Sequence, residues 1–424
     1  GRYEEALDYY EQAMDTFEAV RAVAGSEEAR AAFIAQHIDP YHRAAALYHQ
    51  LGRDDQAFLT TERGRARAFL DSLATGYVQL SDNEAAALLE REREAYAARQ
   101  AALEALVKAR AQSPDDVALI ADLEAQLQQA KEEYTAVVAE IEARSDRLAS
   151  LIPGRSSVLD LPQVQALLDD RTVLLDYWVM GNRTLAFIVT HDTLQTVELD
   201  TSREELRTLV DGFRAFPNLD VAYPGEAVTL YNALIAPLRE HLTLPYLLIV
   251  PHDILHYLPF AALSDGERYL MDDYLIAYLP SASALPFIRE NLDHTGGSPL
   301  ILGNPTTADY DATASLATER DALGPLPFAE QETRAIAALY GVEAYVEEAA
   351  TESLVREQAP ESGILHIAAH GLYNPHAPLA SLIALSPDEA NDGWLTVGEI
   401  YGLDLRRADL VVLSACDTQV GPPQ

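Results

Sequence analysis

Two short apolar runs near the C-terminal end constrain this chain more than any other feature. The first reads Ile364-Leu365-His366-Ile367-Ala368-Ala369 and is followed by His370-Gly371. The second reads Leu410-Val411-Val412-Leu413-Ser414-Ala415 and is followed by Cys416. Runs of this length, rich in aliphatic and β-branched residues, predict strands buried on both faces of a parallel sheet. Open α/β sheets carry their chemistry just beyond the C-terminal ends of such strands. A histidine and a thiol delivered there can meet as base and nucleophile.

Cys416 is the only cysteine in 424 residues. That excludes internal disulfides and a cysteine-rich metal site, and it predicts a reducing, cytoplasmic setting. The formal net charge is −37. Such a field repels nucleic acid and anionic membrane, and favours basic partners or substrates. No apolar run approaches the ~20 residues of a spanning helix. The length predicts two to four domains. Helical patterning is already under way at Gly1, so an upstream leader is left open. The chain ends eight residues after Cys416, and a buried strand needs neighbours on both sides, so further sheet is expected to follow.

Residues 1–75 read as helical. Gly1-Arg2-Tyr3-Glu4-Glu5-Ala6, with Tyr10 and Ala13, resembles the second helix of a tetratricopeptide repeat. A second partial match starts at Tyr48-His49-Gln50-Leu51-Gly52. The two glycines lie 51 residues apart rather than 34, so the second unit is degenerate or carries an insertion. The segment Glu62–Leu70, reading ERGRARAFL, is locally basic and reads as a solvated face packed on acidic neighbours. Residues 76–152 predict a long helical hairpin, broken at Ser113-Pro114-Asp115-Asp116, acting as a spacer or packing arm.

The period changes after 157. Thr172–Val179 and Leu185–Thr190 flank Gly181-Asn182 and predict a β-hairpin, with a third strand at Leu194–Leu199. Helices are expected near 202–215, 224–241 and 328–340. Strands are expected at Tyr246–Val250, Tyr274–Leu279, Pro299–Gly303 and Ala344–Val346. The alternation from 224 onward predicts βαβ units in one mostly parallel sheet.

Cys416 follows His370 by 46 residues. A papain-like enzyme has the opposite order, whereas caspase-type enzymes place the histidine about 50 residues upstream. A cysteine phosphatase needs an arginine after the thiol, and Asp417-Thr418-Gln419-Val420-Gly421 offers none. His366 lies inside its strand and reads as a satisfied core histidine. His252 and His256 read as structural hydrogen-bonding residues rather than metal ligands, Ser281 and Ser283 as turn residues, and Asp392-Gly393 as a turn before a strand or helix start. Asp404 is expected to cap or pair locally. No metal or other cofactor is expected.

Six ordered segments resemble a CHAT domain, a caspase-like peptidase module related to separase and typically found behind tetratricopeptide repeats. They are Tyr246–Leu263 (YLLIVPHDILHYLPFAAL), Tyr278–Ser283 (YLPSAS), Leu302–Pro305 (LGNP), His366–Gly371 (HIAAHG), Asp392–Ile400 (DGWLTVGEI) with Leu403–Leu405, and Leu410–Thr418 (LVVLSACDT) with Gly421. The resemblance implies an α/β caspase-like fold with a mostly parallel sheet over 153–424, behind the repeat-like helices and the hairpin. Within it, a β-hairpin part at 157–245 would precede the catalytic part at 246–424, lacking the family's last strands and helices.

The resemblance also implies roles. Cys416 would be the nucleophile that forms a thioester. His370 would be the acid/base that protonates the leaving amine. The backbone N–H of Gly371, with that of Cys416, would hold the oxyanion. Asp417 is the candidate substrate-binding residue as an electrostatic neighbour; contact with substrate stays open, and its negative charge would favour a basic residue before the scissile bond. The expected partners are a protein substrate and a regulatory protein bound to the helical repeats, with no nucleic acid and no membrane. Two alternatives stay open: a non-catalytic scaffold with an incomplete caspase-like module, and a thiol-dependent acyltransferase or hydrolase of a small substrate.

Overall fold

A computed structural model of the protein describes residues 2–22, 37–65, 83–112, 116–144, 158–214, 225–290, 296–307, 323–374 and 378–415. Its contacts group into two compact units, 1–285 and 286–423.

The first unit begins with helices α1 (Tyr3–Ala22), α2 (Asp39–Gln50) and α3 (residues 54–65). Helices α4 (Asn83–Gln112) and α5 (Val117–Arg144) follow and lie antiparallel, because Arg91 pairs with Glu140 and Arg110 with Glu124. Tyr96, Tyr134, Val138 and Ile141 are buried along this pair. The Arg99 guanidinium lies over both tyrosine rings, 4.7 Å and 4.5 Å from their centroids. Helix α6 (Leu161–Leu167) starts on a capping box: Asp160 accepts from the Gln163 backbone and Gln163 accepts from that of Asp160.

Strands β1 (Thr172–Val179), β2 (Thr184–Val189) and β3 (Leu194–Leu199) form the expected antiparallel meander. Helices α7 (Arg203–Arg214) and α8 (Gly225–Leu234) lead to β4 (Tyr246–Val250) and β5 (Leu275–Tyr278). β4 pairs parallel with β1, giving the order β3-β2-β1-β4-β5.

Every residue of β1 is buried, and alternation divides them between two cores. Val173, Leu175, Tyr177 and Val179 join residues of α7 and α8. Leu174 and Trp178 join Leu7, Met14, Tyr41, Ala44 and Phe58 from α1–α3. Helices α1–α3 therefore cover one face of this sheet. Burying each large side chain is worth roughly 1.5–3 kcal/mol. Gly64 permits close approach: a Cβ there would lie 3.0 Å from the Trp178 ring.

The second unit contains β6 (Ser298–Pro305), helix α9 (Pro327–Tyr340), β7 (Ala344–Glu347), helix α10 (Glu352–Gln358) and β8 (Ser362–Ala368). Then come β9 (His370–Leu372), β10 (Leu382–Ala384), β11 (Trp394–Thr396), helix α11 (Val397–Ile400) and β12 (Leu410–Ser414). β12-β8-β6-β7 form a sheet that is parallel throughout. β11-β10-β9 form a small antiparallel sheet. Leu300, Leu302, Leu365 and Ile367 pack with Val355, Ile383, Leu385 and Leu395 on one face. Helix α9 packs on β6, β7 and β8. It begins at Pro327 and stops at Gly341, whose φ of 68° is left-handed.

The expected single sheet is thus divided. β4 and β5 complete the hairpin sheet, β6, β7, β8 and β12 build a second, and β9, β10 and β11 a small third. The apolar runs predicted β1–β8 and β12; which strands would pair depends on long-range contacts that the runs do not encode.

Candidate functional site

The two opening strands lie side by side. β12 pairs with β8 in parallel register, from Leu410 opposite Ile364 to Ser414 opposite Ala368. His370 is two residues beyond Ala368, and Cys416 is two residues beyond Ser414. Cys416 and Asp417 lie outside the described residues.

Ala369 bends the chain out of β8, so that His370 opens β9. The His370 ring is half-buried, and its Nε2 lies 2.8 Å from the Gly324 carbonyl oxygen. A carbonyl only accepts, so Nε2 carries the proton of this hydrogen bond. In the neutral ring Nδ1 then holds the lone pair and can take a proton from a thiol or return it to a leaving group. Gly371 is buried in β9 opposite Ile383 of β10.

Gly324 is held in turn by β6. Asn304, at the end of that strand with φ of 49°, is buried. Its Oδ1 accepts from the Leu326 N–H at 2.5 Å, and its Nδ2 donates to Glu330 at 3.1 Å. The Asn304 amide thus pins the lead-in to α9, and that lead-in presents the carbonyl to His370. One residue earlier, an added Cβ at Gly303 would stand 2.2 Å from Thr333 Oγ1 and 2.9 Å from the Ala368 Cβ. Only glycine lets α9 dock this closely on β6 and β8.

His366 is buried in mid-strand, as expected, but it is not a satisfied histidine. Its Nε2 lies 3.1 Å from Glu332 Oε1, without the alignment of a hydrogen bond to any described residue. Sequence reasoning passed over Gly324, Asn304 and Glu332. The Leu302–Pro305 motif was the one available signal, and its Gly-Asn pair serves this docking.

In the first unit the sequence-predicted residues form a buried polar cluster. His252 Nδ1 accepts from the Val179 N–H at 3.1 Å, and its ring lies 4.1 Å from that of Trp178. Burial pushes His252 well below the ordinary histidine range, and pushes His42 and His256 down to about 4.

The basic segment departs from its expected solvated face. Arg63 does sit on acidic neighbours, pairing with Glu11, Asp15 and Glu18. Arg65, however, is buried, donating to Asp176 Oδ2 at 2.8 Å and to the Tyr177 carbonyl at 2.6 Å. Residues 66–70 lie outside the described residues. Glu62, fully buried, accepts from the Ser281 hydroxyl, the Ser283 hydroxyl and the Ser283 N–H. The two serines are therefore anchors for α3 as well as turn residues. Burial raises Asp176 to about 7, against the pull of Arg65 and with a push from Glu62.

Among the described residues, no group of three or more histidine and acidic side chains could hold a metal ion, and no helix is long and apolar enough to cross a membrane. An open cavity of about 690 Å³ in the first unit is lined by Asp200, Ser202, Glu205, Thr208 and Ala233, none of them a predicted site residue.

A comparison with curated proteins found no match. Residues 225–424 match the family model of the CHAT domain, a caspase-like, protease-related domain.

Proposed function

We propose that the chain is a caspase-like cysteine endopeptidase in which Cys416 attacks the scissile carbonyl and His370 shuttles the proton. One observation carries this reading. Two adjacent parallel strands in register lead, after equal numbers of residues, to His370 and Cys416. His370 would draw the thiol proton through Nδ1 as the sulfur–carbon bond forms, then give it to the departing amine. Water would hydrolyse the thioester and regenerate the thiol. The backbone N–H groups of Gly371 and Cys416 would hold the oxyanion, and Asp417 would favour a basic residue before the cleaved bond.

The repeat-like helices would bind a regulatory protein. The buried contacts of Glu62 and Arg65 with Ser281, Ser283 and Asp176 support a route from α3 into the sheet. The test compares the whole protein with its Cys416→Ala variant by mass spectrometry of newly formed N-termini in a cell extract. Cleavage by the parent alone is expected, and identical patterns refute the peptidase reading. Peptides ending in Lys, Arg, Asp or Leu then test the preference. A clear Asp preference removes the basic-residue assignment.

A further inference from the structure

Glu332 contacts both strands that lead to the proposed dyad. Its Oε1 lies 3.1 Å from His366 Nε2 on β8, and its Oε2 accepts from the Ser414 hydroxyl on β12 at 3.1 Å. His366 is four residues before His370, and Ser414 is two residues before Cys416. The carboxylate therefore spans neighbouring strands whose Ala368 and Ser414 stand opposite each other. Its depth is fixed by the next residue, because Thr333 is buried against the site where Gly303 lacks a Cβ. The same helix is preceded by Gly324, the acceptor of His370.

We infer that Glu332 is a positioning residue, holding β12 against β8 and so fixing the two strand ends from which the sequence runs on to His370 and Cys416. The inference rests on the peptidase reading for the reaction that the positioning serves. β12 has need of such a clamp: Leu410, Val411 and Leu413 are 41–49% exposed, so apolar packing holds this strand weakly. The hydrogen bond from the Ser414 hydroxyl to Glu332 supplies a directional contact instead, and the same carboxylate faces His366 of β8. Displacement of the sulfur by about 1 Å is enough to cost on the order of 100-fold in rate.

Glu332→Ala in the whole protein is the test. Alanine suits a helix, and the Glu332 side chain is 38% exposed, so the change leaves α9 intact. Two readouts are taken: kcat and KM on a cleaved peptide, and the alkylation rate of Cys416 by iodoacetamide. The expected result is a tenfold or larger fall in kcat at unchanged KM, with alkylation slowed and the melting temperature little changed. Ser414→Ala should do the same, and the double variant should be no worse than the worse single one. Parent-like kcat and alkylation in Glu332→Ala overturn the inference, as does a loss no larger than the fraction unfolded. Should the parent cleave no peptide, the peptidase reading fails separately, and alkylation alone decides. A slowed thiol then supports the clamp, and an unchanged one overturns it.

Discussion

Each unit delivers a histidine two residues past the end of a parallel strand. β4 ends at Val250 and is followed by Pro251-His252; β8 ends at Ala368 and is followed by Ala369-His370. The surroundings then diverge. His252 is packed on Trp178 beneath helices that cover that face, with Nδ1 occupied by a backbone N–H. His370 is half-buried and gives Nε2 to a carbonyl, which leaves Nδ1 as its proton acceptor. The same strand-end position thus serves packing in one sheet and is available for proton transfer in the other. Helical cover and hydrogen-bond polarity separate the two, not topology.

The sharpest way to break this contrast is to exchange the effects of the two histidines. His370→Ala should lower kcat/KM by about 10²–10⁴-fold, the usual worth of a general acid–base. His252→Gln should instead lower the melting temperature and leave kcat within a few-fold of the parent. Loss of turnover in a folded His252→Gln protein would end the distinction.

The next effect tests the cover itself. Arg65→Ala leaves Asp176 and Glu62 buried without their cation and should destabilise the first unit by about 3–5 kcal/mol. Arg65→Met combined with Asp176→Leu should recover much of that loss in a denaturant titration. A loss below about 1 kcal/mol for the single variant would mean that α3 is held by its apolar face alone.

In the second unit, Gly303→Ala forces the new methyl onto Thr333 and Ala368, at a cost of about 1–3 kcal/mol. It should also slow peptide cleavage, because α9 carries both Gly324 and Glu332 into place. Adding Thr333→Ala should restore part of both.

The smallest effect is pH dependence. His42 and His256 sit at about 4 in the fold, against an ordinary value near 6.5, and His252 is also depressed. Between pH 6.5 and 4 the unfolded chain binds protons that the folded chain refuses, so these groups remove stability as pH falls. Asp176, raised to about 7, acts oppositely, because its folded form takes up a proton as pH falls from 7 towards 4. Three histidines outweigh one carboxyl. The melting temperature should fall by a few degrees from pH 7 to pH 5, and His42→Gln with His256→Gln should flatten that slope. A rise on acidification would show that Asp176 dominates.

Much of this contrast could be read in the chain and part could not. The apolar runs at 172–179, 246–250, 364–369 and 410–415 gave their strands within a residue or two. The first three are largely buried, but the expectation that 410–415 is buried on both faces fails: among the described residues β12 stands at the end of its sheet with Leu410, Val411 and Leu413 exposed. Strands β9 and β10 were missed, because three residues each leave no period to detect, whereas β11 begins just after the Asp392-Gly393 turn, where a strand or helix start was expected. The partner of Arg65 lies 111 residues away, and a basic segment alone cannot reveal that one of its cations is buried. Gly324 and Glu332 likewise reach His370, His366 and Ser414 only through the docking of α9, so no local pattern marks them.

The most direct measurement is acid quenching of the whole protein during turnover of a cleaved peptide ester, followed by mass analysis of the fragment that contains Cys416. An acyl group bonded to Cys416, present in the parent and depleted in His370→Ala, is the predicted result. Peptide cleavage with no acyl group on Cys416, or undiminished cleavage in Cys416→Ala, would contradict the proposed dyad.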